Sequence, residues 1–347
     1  MASTIIVLVN WNGWRDTVEC LESLLRLDDE KFAVVIVDNG SADGSADAIA
    51  AWAAAPAPER PDALAWAALP ATRRTAPTFR RIGPDATLGD ERVTLVEAGV
   101  NLGFAGACNL GMRLALGRAA TRFVWLLNND TIVRPDALSR LVGHMAAHPD
   151  HAIVGATLLY YHAPATVQGL AGWLRPSRAL AGHVGFGGAA DALPQAARVE
   201  AEMAYVMGAS MFVRRVCIEA TGGMSEEYFL YYEEPDWARR LPAGMRQGVC
   251  LDAVVWHKEG GSIGTSSLSR PSDTSLYYYA RGTLRFYWKH QRRYAGVALG
   301  RILYDGVRYV AKGDGRAAAV TARVLVDAVS GRRRRGPYGS AEFNASS

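Results

Sequence analysis

The segment Tyr231-Tyr232-Glu233-Glu234-Pro235-Asp236-Trp237 sets three carboxylates within four residues, flanked by aromatic rings. Crowded carboxylates in an apolar surround raise one another's pKa, which suits Glu234, Glu233 or Asp236 to act as a general base near neutral pH. The same residues suit a helix start, with Pro235 at its first position and the acids at the positive dipole end. Asn128-Asn129-Asp130 follows the apolar run FVWLL. One carboxylate there can share a divalent cation with a bound diphosphate. His257 closes another apolar run, VCLDAVVW. Imidazole is the commonest transition-metal ligand, and a lone histidine is as readily structural. Asp38 follows FAVVIV, where a carboxylate can accept hydrogen bonds from a base or ribose, or can start a turn. The run from Asn101 through Gly103, Phe104 and Gly106 to Asn109 has glycines that allow close backbone approach to a phosphate at a helix start. It lacks the Lys-Ser/Thr of a P-loop and the spacing of a dinucleotide fingerprint.

Asn10 and Asn12, Asp38, Asn101, Asp130 and His257 share a position: each follows a predicted strand, while the acidic cluster lies with a short predicted helix over 225–241. The spacing predicts strands over 4–9, 32–37, 93–96, 123–127, 153–156 and 249–256, and a strand over 203–213 broken at Gly208. Helices are predicted over 15–27, 45–52 and 107–118, and from Pro135 at a helix first position through 148. A β-α-β-α beginning argues a doubly wound, mostly parallel sheet. Such sheets bind ligands outside the carboxyl ends of their strands. Asn10 and Asn12, Asp38, Asn101, Asp130 and His257 would then gather at one edge. Residues 53–92 interrupt the pattern with six prolines and six arginines, and read as a long, partly disordered insertion, a solvated excursion or a lid. Residues 163–200 show no clear period.

From Ser275 the chain turns helical and basic, with 13 Arg and Lys against three Asp between Arg285 and Arg335. That extension suits either packing on the preceding domain or contact with an anionic membrane surface. The expected organisation is a catalytic domain over 1–270, a helical extension over 271–336 and a disordered tail over 337–347. Of the 347 residues half are hydrophobic and 21% charged, which excludes whole-chain disorder, collagen and a small disulfide scaffold. A net charge of +4 is too balanced to imply nucleic acid. Cys20, Cys108, Cys217 and Cys250 have no zinc spacing and fit a reducing compartment. The N-terminal run reads as a strand rather than a signal peptide, and no stretch is long and apolar enough to predict a transmembrane helix.

Seven ordered segments resemble the family 2 glycosyltransferases of GT-A fold, in particular their bacterial rhamnosyltransferase-like branch: VLVNWNG, VVIVDNGSADGS, NLGFAGACNLGM, FVWLLNNDTIVRPDAL, GASMFVRR, YFLYYEEPDWARRL and VVWHKEGGSIG. The later YYYARGTLRFYWKH is similar to a segment of that branch, with Gly282 where Asn is common. The likeness spans roughly 4–290 apart from 53–92. It implies an inverting transfer of a sugar, rhamnose favoured, from a dTDP- or UDP-sugar to a glycan or lipid-linked acceptor in bacterial surface polysaccharide synthesis. A UDP-hexose or N-acetylhexosamine transferase, or a non-catalytic nucleotide-sugar-binding subunit, is the alternative. Asn12 and Asp38 would line the base and ribose pocket, with Asn10 and Asn39 among the nucleotide-sugar-binding residues. Asn101, Gly103, Phe104, Asn109, Asn128, Asn129 and Gly208 would shape the rest of the nucleotide-sugar site. Asp130 matches the last Asp of the family's DxD element and would bind Mg2+ or Mn2+ with the diphosphate, and His257 would add a ligand. Asn128 departs from a strict DxD. Glu234 stands where the family's base is usually Asp, with Glu233 and Asp236 as alternates. The implied setting is cytoplasmic, with peripheral contact at the inner membrane face through 285–335, no nucleic-acid partner, and an oligomer left open.

Overall fold

The computed structural model describes residues 2–55, 67, 69, 77–259, 270–340 and 343. The first elements are β1 (Thr4–Asn10), α1 (Trp14–Leu24), β2 (Phe32–Asp38), α2 (Ser45–Ala54), β3 (Phe79–Ile82), β4 (Val93–Glu97), α3 (Gly103–Leu116) and β5 (Phe123–Asn128). There follow β6 (Thr131–Val133), α4 (Ala137–Ala147), β7 (His151–Tyr160), β8 (Val167–Gly169), β9 (Ala171–Arg175), β10 (Leu180–Val184), α5 (Ala196–Glu202) and β11 (Ser210–Arg214). The chain continues with α6 (Arg215–Thr221), α7 (Glu233–Arg239), β12 (Arg246–His257) and three closing helices, α8 (Asp273–His290), α9 (Ala295–Ala311) and α10 (Gly315–Ser330).

The large sheet runs β3-β4-β2-β1-β5-β11-β7-β12-β6, with β8 on β7. Its first five strands are all parallel. Successive residues of β1 and β2 point to opposite faces, as strand geometry requires. Ile6, Leu8, Val34 and Ile36 enter the core that packs α1 and α4. Ile5, Val7, Val35 and Val37 enter the core that packs α3. With both faces covered, these strands read as unbroken apolar runs, which is why they were legible.

β11 runs antiparallel between β5 and β7. The reason is topological. β7 ends at the carboxyl edge of the sheet, and the β9–β10 hairpin and the short α5 lead into β11 without a long crossover helix between them. The next strand must therefore run back down. Several boundaries move. The 203–213 strand begins only at Ser210, after Gly208. The helix expected from Pro135 begins at Ala137, and α7 begins at Glu233, so Pro235 is its third residue and not its first. The helix predicted from 107 starts at Gly103. Within the 53–92 insertion, Phe79–Ile82 is an edge strand on β4, unrecognised because two of its four residues are arginines, a usual way to blunt a sheet edge. The rest of that expectation, over 56–66, 68 and 70–76, lies outside the described residues. The 163–200 stretch holds β8, β9, β10 and α5, too short for a period to show.

The C-terminal helices pack on one another and against α7. Tyr277 donates to Asp327 Oδ2 at 2.8 Å, and Arg334 closes on the same carboxylate at 3.1 Å. Asp236, fully buried, accepts from Arg240 Nε at 2.6 Å and from Lys289 Nζ and His290 Nε2 at 2.8 Å each, tying α7 to α8. Of the tail, the Tyr338 ring lies tilted against Tyr277 at 5.6 Å and the Phe343 ring meets it edge-on at 4.9 Å. No described helix is long and apolar enough to cross a membrane.

Candidate functional site

A cleft of about 520 Å³ opens at the carboxyl edge of the sheet, beside the crossover that carries the chain from β4 to β5. Predicted residues that line it are Asn39, Asn101, Gly103, Phe104, Asn128 and Asn129, with Gly208, Glu233, Glu234, Asp130 and His257. Five others do not line it. Asn10 donates to Asp38 Oδ1 at 2.7 Å and accepts from Thr17 at 2.8 Å, and Ser41 takes up the rest of the Asp38 carboxylate. Asn12, at φ 51°, accepts from the Ala42 amide at 2.8 Å. Asn109 ties α3 to the Met224 backbone and to Glu226. Asp236 is spent on Arg240, Lys289 and His290. These residues hold the loops at the strand ends, while Asn39 carries the network to the cleft: it donates to Asn101 Oδ1 at 3.1 Å and accepts from the Leu102 amide at 2.8 Å.

Two carbonyl-edge segments meet through a three-residue strand. β6 pairs with the end of β12, Thr131 opposite His257, and the Lys258 amide donates to the Asp130 carbonyl at 3.0 Å. Asp130 Oδ1 and His257 Nε2 thereby lie 3.1 Å apart. Gln168 Oε1 sits 2.9 Å from His257 Nδ1, and Asn128 Nδ2 sits 3.2 Å from Nε2. With Gln168 accepting the Nδ1 proton, the single Nε2 lone pair, beside the Asn128 amide, faces a carboxylate oxygen of Asp130 across the gap. A cation bound by carboxylate and imidazole, or a proton, resolves that opposition, so the donor set fits a divalent metal. Burial works against charging His257, but the Asp130 carboxylate outweighs it and holds the imidazole pKa above its ordinary value.

The carboxylates of α7 sit across the same cleft. Tyr231 and Tyr232 both adopt left-handed backbone, φ 66° and 71°, which costs a non-glycine residue about 1–3 kcal/mol each. Side-chain packing holds this turn: Thr283 donates to Tyr232 Oη at 3.0 Å, and Tyr231 donates to Ser275 at 3.1 Å. The turn delivers Glu233 and Glu234 at the head of α7. Burial pushes the Glu234 carboxyl up to about 7, against the pull of the Glu234 and Gly208 backbone amides. Burial and then the neighbouring charge of Glu234 push Glu233 well above the carboxylate range, and its Oε2 has no hydrogen-bond partner. Gly208 is required for this fit: a Cβ there would lie 2.4 Å from Glu234 Oε1. Gly103, at φ 73°, plays the same part for α3, where a Cβ would meet the Phe229 carbonyl at 2.5 Å.

The sequence reading missed His183, Leu174, Tyr205, Met207 and Tyr279 as cleft residues. His183 and Leu174 come from the β9–β10 hairpin, which carried no periodic signal. Tyr279 comes from α8 and sits 5.7 Å, ring to ring, from Tyr232. The YYYARGTLRFYWKH segment was the available pointer to it.

A family model described as glycosyl transferase family 2 matches residues 5–62 and 73–197, more than half of the chain. No curated protein matches. Among solved structures, the chain is similar to the mannosyltransferase PcManGT from Pyrobaculum calidifontis, in complex with GDP-Man and Mn2+, at 17% identity and a TM-score of 0.51, over 99% of this chain and 77% of that one. It is also similar to GalNAc-T7 with UDP, GalNAc and Mn2+, at 13% identity and a TM-score of 0.55, over 84% of this chain and 49% of that one. At such identities the likeness is one of fold, and it is the GT-A arrangement of a largely parallel sheet flanked by helices. The family match, laid over a cleft with polar residues at the ends of separate strands, places this chain in glycosyl transferase family 2 and makes it a glycosyltransferase.

Proposed function

We propose that the protein is an inverting, metal-dependent transferase that moves a sugar from a nucleoside diphosphate sugar to a hydroxyl of a glycan or lipid-linked acceptor. The observation that carries this reading is the shared cleft: a carboxyl pushed up to about 7, at Glu234, and a facing carboxylate–imidazole pair, Asp130 and His257, line one cavity. The two solved relatives bound to nucleotides with Mn2+ support a nucleotide-sugar donor and a divalent ion. Rhamnose from a dTDP-sugar is the favoured cargo on the sequence resemblance, with UDP-hexose or UDP-N-acetylhexosamine as the second donor class. The same resemblance supports a role in bacterial surface polysaccharide synthesis.

In this reading Asp130 and His257 hold Mg2+ or Mn2+, whose chemistry is to neutralise charge on the departing diphosphate. Asn39, Asn101 and the backbone at Gly103 position the donor. Glu234 accepts the proton of the acceptor hydroxyl as that oxygen bonds the anomeric carbon and the anomeric carbon–phosphate oxygen bond breaks. Gly208 leaves the carboxylate room and orients it. Buried Glu233, kept protonated, spares the site a second negative charge beside the base. Asp236 is a positioning residue that fixes α7 to α8.

The proposed setting is cytoplasmic, at the inner membrane face. Tyr304, Val307 and Val310 of α9 are 61–70% exposed, with Arg308 and Lys312 exposed among them, which supports contact with an anionic surface. Thermal unfolding against a panel of nucleotide sugars, with and without Mn2+, tests the main reading. Stabilisation by one dTDP- or UDP-sugar that requires Mn2+ is expected, about 2.7 kcal/mol at a hundredfold excess over Kd. No shift with any sugar nucleotide would refute it.

A further inference from the structure

A second cleft, of about 220 Å³, shares the Phe229–Leu230 wall with the first. Tyr278, Arg281, Gly282 and Arg285 present one face of α8 to it, at i, i+3, i+4 and i+7, and Arg333, Arg334 and Arg335 close it from the segment that follows α10. Five guanidinium groups thus meet two carboxylates there, Glu226 and Glu227, and both acids are engaged: Glu226 accepts from Asn109 at 2.9 Å, and Glu227 is paired with Arg285 at 2.5 Å and Lys289 at 3.6 Å. Arg334 is bound to buried Asp327. Arg281 donates only to the Tyr277 hydroxyl, at 3.0 Å, and Arg333 and Arg335 have no ion pair or hydrogen bond among the described residues. Arg285 Nε is buried and without a partner. Three arginines without carboxylates and one buried spare donor are an unbalanced positive site.

We infer that this cleft binds the phosphate or diphosphate group of a phosphorylated acceptor, which rests on the transferase reading above. Guanidinium forks match phosphate oxygens in pairs, and such bonds are about twice as strong as neutral ones. The cleft also stands at the right reach. Leu230 lines both cavities, and the Glu234 Cα lies at most roughly 14 Å of chain from the Leu230 Cα. An acceptor anchored by its phosphate on the arginines can extend one or two sugar rings over the Phe229–Leu230 wall toward the Glu234 carboxylate.

The test uses the full chain, inorganic pyrophosphate as probe and EDTA in the buffer, so that Asp130 and His257 have no metal to offer it. The triple variant Arg281→Gln, Arg333→Gln, Arg335→Gln leaves the buried Arg334–Asp327 pair intact, and an unchanged melting temperature checks its fold. Wild type is expected to bind pyrophosphate at least tenfold more tightly than the triple variant, whether or not phosphatidylglycerol vesicles are present. Asp130→Asn is expected to bind it as wild type does. Equal binding by wild type and the triple variant overturns the inference. Displacement of pyrophosphate by the vesicles also overturns it, and assigns the arginines to lipid headgroups. Mn2+-dependent binding of a sugar nucleotide, measured on the same proteins, is expected to be unchanged in the triple variant. Its absence from wild type would sink the transferase reading, while loss of pyrophosphate binding in the variant alone would still stand as an anion site.

Discussion

Replacing Glu234 by Gln should abolish turnover and at the same time stabilise the fold. The carboxyl titrates at about 7 in the folded protein against 4.5 in the unfolded chain, because burial disfavours its charge. A group whose folded pKa is raised contributes stability that is fully present below pH 4.5 and is lost as pH rises through 7. Above pH 7 the folded protein holds a desolvated carboxylate that the unfolded chain carries in water. At about 1.36 kcal/mol per pKa unit the whole shift is worth about 3 kcal/mol, and access of cleft water to this partly exposed side chain reduces it to about 1–3 kcal/mol. Gln keeps an oxygen for the Gly208 amide but no charge. The assay is urea unfolding of wild type and Glu234→Gln from pH 4 to pH 8.5, with nucleoside diphosphate release measured on the same samples. The variant should match wild type near pH 4, gain through pH 5–7, and exceed it by about 1–3 kcal/mol at pH 8. Its turnover should fall by about 100-fold or more, the scale of a lost general base. A variant no more stable than wild type at pH 8 would refute the burial argument, and one that turns over normally would refute the base assignment.

Wild-type turnover should rise with pH through about 7 and then level, since Glu234 must be deprotonated to accept a proton; a rate flat from pH 5.5 to 8.5 would contradict this. Gly208→Ala sets a Cβ 2.4 Å from Glu234 Oε1, so displacement of the carboxylate should cost about 10- to 100-fold in turnover with donor binding retained, read by steady-state kinetics beside a sugar-nucleotide titration. Asp130→Asn and His257→Ala should each remove the Mn2+-dependent part of donor stabilisation in thermal unfolding, and EDTA should do the same to wild type. Asp236→Asn leaves Lys289, His290 and Arg240 facing a neutral amide in a buried site, and should lower unfolding free energy by about 3–5 kcal/mol, as measured by urea titration.

Much of this protein is determined locally. TIIVLV, FAVVIV and FVWLL are covered on both faces, so each is a nearly continuous apolar run, and polar residues mark where each run leaves the sheet. Those two facts made the parallel sheet and its ligand-binding edge legible without coordinates and marked Asn101, Asp130 and His257 at that edge, whereas Glu234 was marked by its crowding with Glu233 and Asp236. Tertiary structure decided which neighbours of those residues face the cleft. Asp38 and Asp236 are as acidic in sequence as Asp130, yet the first is consumed by Asn10 and Ser41 and the second by Arg240 just past α7 and by Lys289 and His290 of α8. Asn128 and His257, 129 positions apart, meet only because a three-residue strand pairs with the end of β12. The Glu234 carboxyl owes its raised pKa to its own burial and its room to Gly208, and the turn before α7 to helix α8, none of which is written in the residues beside it. Hydrogen bonds and desolvation act through space, and the chain brings such partners together only after its local elements have formed.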